Sequence, residues 1–225
     1  MNLSLSPSEL EAYVLRQLKC FFPDNQKIDK VKFRRAFSFA LERTEYCFKY
    51  IKLFSKEGQP FLNHLHTDQY AMFLLFLANS IWQKNADDHT ASKVFALNKC
   101  LHSLNCMYDT RIPDIFLLFH VIGTVLGKAE YADFLIVTHG CTIGAQAGKY
   151  PRIGKGVSLL PHSSIIGDCN IGDRVSVGIN TTIYQQDIDP DTVVFTQEGR
   201  TCKQFCQLPW GQQFFTLQFE EEFRE

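Results

Sequence analysis

A six-residue period in the second half of the chain limits its fold more than any other feature. Ile153, Leu159, Ile165, Ile171, Val177 and Ile183 stand six apart, and all are aliphatic. Val157, Ser163, Cys169, Val175 and Thr181 occupy a second position on the same period, and all are small or β-branched. Turn-forming residues follow the apolar steps, as in Ile171-Gly172-Asp173 and Val177-Gly178-Ile179-Asn180. A period of six fits neither an α-helix nor a meander of hairpins. It describes a three-sided prism in which each step is one short strand and one turn, and three steps close a coil. Counting back by six from Ile143 gives Val137, Tyr131 and Val125, with Cys141, Leu135 and Ala129 at the small position. Ile143 and Ile153 are ten apart, so four extra residues form a loop pushed out of the repeat around 145–151. Residues 125–188 supply between three and four coils.

Residues 1–107 carry a helical period instead. Ser6-Pro7-Ser8-Glu9 places an N-cap, a proline at the first helical position and a glutamate at the third. Phe33, Phe37, Leu41, Phe48, Ile51 and Phe54 form one apolar stripe and predict a second helix. A third opens at Thr67-Asp68 and runs through Trp82; a fourth follows Thr90 with Val94, Leu97, Leu101 and Leu104. The expected class is therefore α + β. An α-helical packing or assembly domain (1–107) precedes a parallel β-helix (108–190) and an extended tail (191–225), where Phe214, Phe215, Leu217 and Phe219 are expected to pack as a strand against a neighbour.

Three segments carry a family resemblance. Leu118-Phe119-His120-Val121-Ile122-Gly123-Thr124-Val125-Leu126-Gly127 is similar to the Leu-Asp-His-Ala-Thr-Gly-…-Val-Gly segment of the hexapeptide-repeat acyltransferases, in their serine acetyltransferase branch. His139-Gly140-Cys141-Thr142-Ile143-Gly144 resembles that branch's Gln-Ser/Gly-Val-Thr-Leu-Gly, and Tyr150-Pro151-Arg152-Ile153-Gly154 its His-Pro-Lys-Ile. The resemblance implies a left-handed parallel β-helix, assembled as a homotrimer or a dimer of trimers. It also implies acetyl-CoA as co-substrate in the cleft between prisms, with His120 as general base on a hydroxyl or amine of a small acceptor. Gly144, Ala145, Pro161, His162, Gly178 and Ile179 would line the pantetheine path, with Lys155 or Arg174 near the nucleotide. The family's acid fifteen residues before its histidine is Asn105 here, leaving Asp109 or Asp114 to take over. The acid just before that histidine is Phe119, and the second active-site histidine is Tyr150. With carboxylate and imidazole exchanged for Phe and Tyr, an amino sugar or nucleotide sugar of surface-polysaccharide synthesis fits as well as L-serine.

His120, His139 and His162 are spaced by 19 and 23 residues, close to whole coils once the loop is removed, so all three project from nearly one side. That places His139 as a candidate acceptor-site residue beside His120, and the resemblance implies the same for Tyr150, which stands where the family has its second histidine. Two other readings stay open. One is a non-catalytic scaffold or regulatory subunit, suggested by the missing acid and second histidine. The other is a three-histidine zinc trimer of the carbonic anhydrase type, although the close His-x4-His pair such sites use is absent. No metal is expected. His64 and His66 belong to a loop before a helix.

A formal net charge of −1, with acid and base mixed along the chain, offers no stripe to neutralise phosphates, which argues against nucleic acid. The apolar run at 70–82 is shorter than the ~18–20 residues of a membrane span. The N-terminus lacks the pattern of a signal peptide, and the eight scattered cysteines fit free thiols in the cytoplasm.

Overall fold

A computed structural model describes residues 1–216 and shows four helices followed by a left-handed parallel β-solenoid of about five turns. Helix α1 (Pro7–Phe21) opens with the expected capping box: the Ser6 hydroxyl accepts from Glu9 N–H, and the Glu9 carboxylate accepts from Ser6 N–H at 2.9 Å. Asp29 caps α2 (Lys30–Lys49) by accepting from the N–H groups of Val31 and Lys32. The apolar stripe continues past the end of α2: Ile51 and Phe54 remain buried, but Lys52–Phe54 is a 3-10 turn. Helix α3 (Thr67–Asn85) is buried on all faces from Asp68 to Ile81, so it is the central helix. Helix α4 (Asp88–His102) begins two residues before Thr90, because Asp87 supplies the cap to Thr90 N–H at 3.0 Å. Three short strands, Asn2–Leu3, Gln59–Leu62 and Ser55–Lys56, tie the N-terminus to the entry of α3.

The prism has three unequal sides. The longest carries five parallel rungs: Phe116–Phe119, Leu135–Thr138, Ser158–Leu159, Ser176–Val177 and Thr192–Gln197. Arg200–Phe205 then folds back antiparallel on the last rung and covers its open edge. The second side is Asn105–Cys106, Val125–Leu126, Thr142–Gly144, Ser164–Ile166 and Thr182–Tyr184. The third has Glu130–Tyr131, Arg152–Ile153 and Asn170–Ile171. The period-six residues from Ile153 to Ile183 are all at most 3% exposed, as are the five small ones from Val157 to Thr181.

The earliest coil departs from the count, as does the step after Ile183, where Ile188 stacks on Ile171 after five residues. Leu126, not Val125, pairs with Ile143 and turns inward, because this step is one residue short before Tyr131. Tyr131 spans the shortened turn by donating to Gly127 O at 2.6 Å. The extra loop is present, closed by mutual backbone hydrogen bonds between Gln146 and Lys149 with Ala147 and Gly148 both at positive φ.

One continuous core joins the halves. Phe76 of α3 meets Phe116 of the first long-side rung at 5.2 Å between ring centroids, and the Cys47 thiol of α2 donates to Phe116 O. Arg43 donates to Asn79 Oδ1, and Asn79 in turn donates to the carbonyls of Tyr108 and Thr110, fixing the crossover into the prism. The described end of the C-terminal segment packs on the chain itself. Its 3-10 turn, Trp210–Phe214, lies on the long side, with Gly211 against Ser158 and Ile136. Phe215 is buried beside Phe134, and Thr216 N–H donates to Tyr50 O. Leu217 and Phe219 lie outside the described residues.

Candidate functional site

The corner between the long side and the second side repeats one backbone device in each coil. His120, Gly140, His162 and Asn180 all take positive φ, between +55° and +67°, which turns the chain sharply out of the long side. Successive corners are joined by hydrogen bonds, His162 N–H to His139 O and Asn180 N–H to Pro161 O, both at 3.0 Å. The three histidines gather here as their spacing predicts. The His139 and His162 rings meet edge to face at 5.0 Å, and the His162 ring lies over Gly140, where a Cβ would come within 2.7 Å of Cε1. Pro161, Gly178 and Ile179 share this corner, with Ile122 and Ile179 left 71% and 58% exposed.

The carboxylate at His120 is neither Asp109 nor Asp114. Asp68, in the first turn of α3, reaches across from the helical half with a side chain only 5% exposed. Its Oδ2 accepts from His120 N–H at 3.0 Å and its Oδ1 from Val121 N–H at 3.3 Å. Oδ2 also stands 3.7 Å from His120 Nδ1. Asp109 instead pairs with Lys128 at 2.9 Å, and Asp114 sits at another corner with its N–H on Asp133. Asn105 meets Lys99. The reason is topological: the residues just ahead of the prism pass along other edges, while the start of α3 abuts the first histidine turn.

Leu53, Phe54, Leu65, His66, Phe119 and Asp68 surround His120 in a pocket of about 480 Å³. Phe119 packs on the His120 ring at 4.1 Å, and Phe214 backs Phe119 at 5.6 Å. His66 caps α3 through its Nδ1, which accepts from Gln69 N–H, and its ring packs on Phe54.

The expected neighbour Tyr150 does not join this pocket. Gly144 ends the second-side strand Thr142–Gly144, and Ala145 and Tyr150 belong to the extruded loop that follows, at the corner between the second and third sides, one prism side away from His120. Tyr150 there helps line a cleft of about 910 Å³ with Lys149, Arg152, Glu130, Asp168 and Asp187. The cations proposed for the nucleotide are placed elsewhere again: Arg174 forms a two-pronged pair with Asp191 at 2.5 and 2.6 Å, and the Lys155 ammonium lies over the Phe134 ring. Among the described residues no cluster of three or more His, Cys, Asp or Glu is arranged to hold a metal ion; His139 and His162 meet ring edge to ring face rather than converging on a point.

No family model matches the sequence, and no curated protein is similar enough in sequence to match it. Solved structures do match. Serine acetyltransferase from Neisseria gonorrhoeae superposes with a TM-score of 0.68 at 17% identity, over 93% of this chain and 84% of that one. The chain has the serine acetyltransferase fold. Isoform 3 from Entamoeba histolytica, solved with cysteine, gives a TM-score of 0.62 at 18% identity, over 85% and 71% of the two chains. A serine acetyltransferase solved with CoA gives 0.56 at 12%, over 84% and 74%.

Within that serine acetyltransferase fold, sequence reasoning found the histidine corner and missed Asp68 and His66. Thr67-Asp68 carried only the signature of a helix start, and no spacing links a residue of α3 to one 52 positions later. The contact exists only once the helices have packed on the prism.

Proposed function

We propose that the chain is an acetyl-CoA-dependent acetyltransferase with His120 as general base. The observation that carries this reading is a histidine at the mouth of a pocket, backed by a buried carboxylate, at the corner of a serine acetyltransferase-like prism. His120 Nε2 would take the proton of the acceptor as its oxygen or nitrogen attacks the thioester carbonyl. The C–S bond then breaks, and the proton held on His120 passes to the departing thiolate. The exposed apolar strip of Ile122 and Ile179, beside Pro161, His162 and Gly178, suits the pantetheine chain.

The pocket favours a sugar over L-serine as acceptor. Leu53, Phe54, Leu65 and Phe119 give it apolar and aromatic walls on which the C–H face of a sugar ring packs, and among the described residues no Lys or Arg lines it to meet an amino acid's carboxylate. Assembly as a trimer, or a dimer of trimers, accounts for the separation of Tyr150, Gly144 and Ala145 from His120, since a neighbour's loop corner can complete the histidine corner. No helix among the described residues is long and apolar enough to cross a membrane, and the eight cysteines are all free thiols, which fits the cytoplasm.

The test is thiol release from acetyl-CoA by wild type and His120→Ala, against L-serine, amino sugars and nucleotide-linked amino sugars. Turnover with one acceptor, reduced about 10²-fold or more in the variant, is expected for loss of a general base. Full activity in His120→Ala would move the base to His139 or His162. No turnover and no CoA binding would leave a scaffold as the better reading.

A further inference from the structure

We infer that Asp68 is the positioning residue for His120, so the orienting carboxylate of this site comes from the helical half rather than from the prism. The inference rests on His120 being the base. Both oxygens of Asp68 are engaged at one turn. Oδ2 holds the His120 N–H and Oδ1 the Val121 N–H, so the carboxylate fixes the backbone where His120 is held at φ +55°. The N-terminal turn of α3 is a favourable place for that negative charge. Phe119 packs against one face of the imidazole at 4.1 Å, and the rest of the ring is exposed, so it is free to turn toward Asp68.

The 3.7 Å between Oδ2 and Nδ1 is within ion-pair reach but longer than a hydrogen bond. A shift of under about 1 Å closes it, and such bonds commonly tighten only when substrate is bound. In that geometry Nδ1 carries the proton and Nε2 keeps the lone pair that accepts the acceptor's proton. The carboxylate then stabilises the imidazolium formed in the same step. Asp109 and Asp114 cannot substitute, being held by Lys128 and at the Asp133 corner.

The experiment compares wild type, Asp68→Asn, Asp68→Glu and His120→Ala as full chains, by steady-state kinetics with acetyl-CoA and by nitrogen NMR of the histidine rings. Asp68→Asn is expected to lose about 10²-fold in kcat, while KM for acetyl-CoA stays within about threefold. Asp68→Glu should recover part of the loss. In wild type His120 should be the Nδ1-protonated tautomer, and in Asp68→Asn a mixture; a merely structural carboxylate would leave the tautomer unchanged. Wild-type kcat in Asp68→Asn, or an unchanged tautomer, overturns the positioning role. Activity retained in His120→Ala would instead overturn the base assignment beneath it. Should Asp68→Asn fail to fold, Asp68→Glu decides: retention of the Nδ1–H tautomer supports the role, and its loss with unchanged kcat overturns it.

Discussion

Single residues at the histidine corner are set by backbone conformation before chemistry enters. His120 and His162 occupy a left-handed region that costs an ordinary side chain about 1–2 kcal/mol, so the fold holds both against a local preference. Gly140 occupies the same region, and here the lack of a Cβ is required twice, by φ +67° and by the His162 ring above it. Gly140→Ala is expected to destabilise the chain by about 1–2 kcal/mol in a urea titration, and to raise KM for acetyl-CoA through a displaced His162. Unchanged stability would mean the ring moves away freely. The cysteines show the opposite situation, with environment suppressing reactivity. Burial pushes the thiols of Cys47 and Cys106 up to about 12, so neither serves as a nucleophile near neutral pH.

At the scale of elements, each coil is three short strands that cannot stand alone, and its contacts to the next coil decide where the solenoid ends. Arg174 and Asp191 join the third corner of one coil to that of the next. The hydrogen-bonded Arg174 guanidinium holds the Asp191 carboxyl below the usual carboxylate range. A depressed carboxyl contributes stability above its unfolded value of about 4 and loses it as pH falls through the depressed value. The pair is about a quarter exposed, so solvent screening limits it to under about 1 kcal/mol. Asp191→Asn should therefore melt lower than wild type at pH 7, and the two melting curves should converge near pH 2. A gap that persists in acid would assign the effect to packing instead. Helix α3 does more than fill the core: its first turn delivers Asp68 to the site, and Asn79 in its middle binds the crossover turn at Tyr108 and Thr110.

Across the whole molecule, the C-terminal segment closes a circuit between the two halves. Phe215 is 1% exposed, packs on Phe134 of the prism and pairs through its backbone with Ile51 beyond α2. Removing such a ring leaves a cavity at a junction, so Phe215→Ala is expected to cost about 3–5 kcal/mol. Its denaturation should split into two transitions, read by far-UV circular dichroism and tryptophan fluorescence; a single transition of wild-type midpoint would show that the segment is only draped on the surface. Because Phe214 of the same segment backs Phe119, and Phe119 backs His120, loosening it should also reduce turnover.

The sequence by itself determined the solenoid, the loop, the helix starts and the histidine corner, because each is a local or periodic property. Side chains repeat every six residues, caps lie within four, and one coil of 18 residues returns a chain to the same edge. Even there a short step defeated the count at Val125, since periodicity cannot register an omitted residue until hydrogen bonds fix the pairing. Tertiary structure alone decided what stands beside His120. Asp68 comes from the first turn of α3, Leu65 from the turn just before that helix, Phe54 from the 3-10 turn after α2, and Phe214, behind Phe119, from the chain's far end. Asp109 and Asp114 meanwhile lie at other edges of the prism, beside Lys128 and Asp133. The contacts around His120 join residues tens of positions apart with no repeat between them, so only burial of the shared core brings them together.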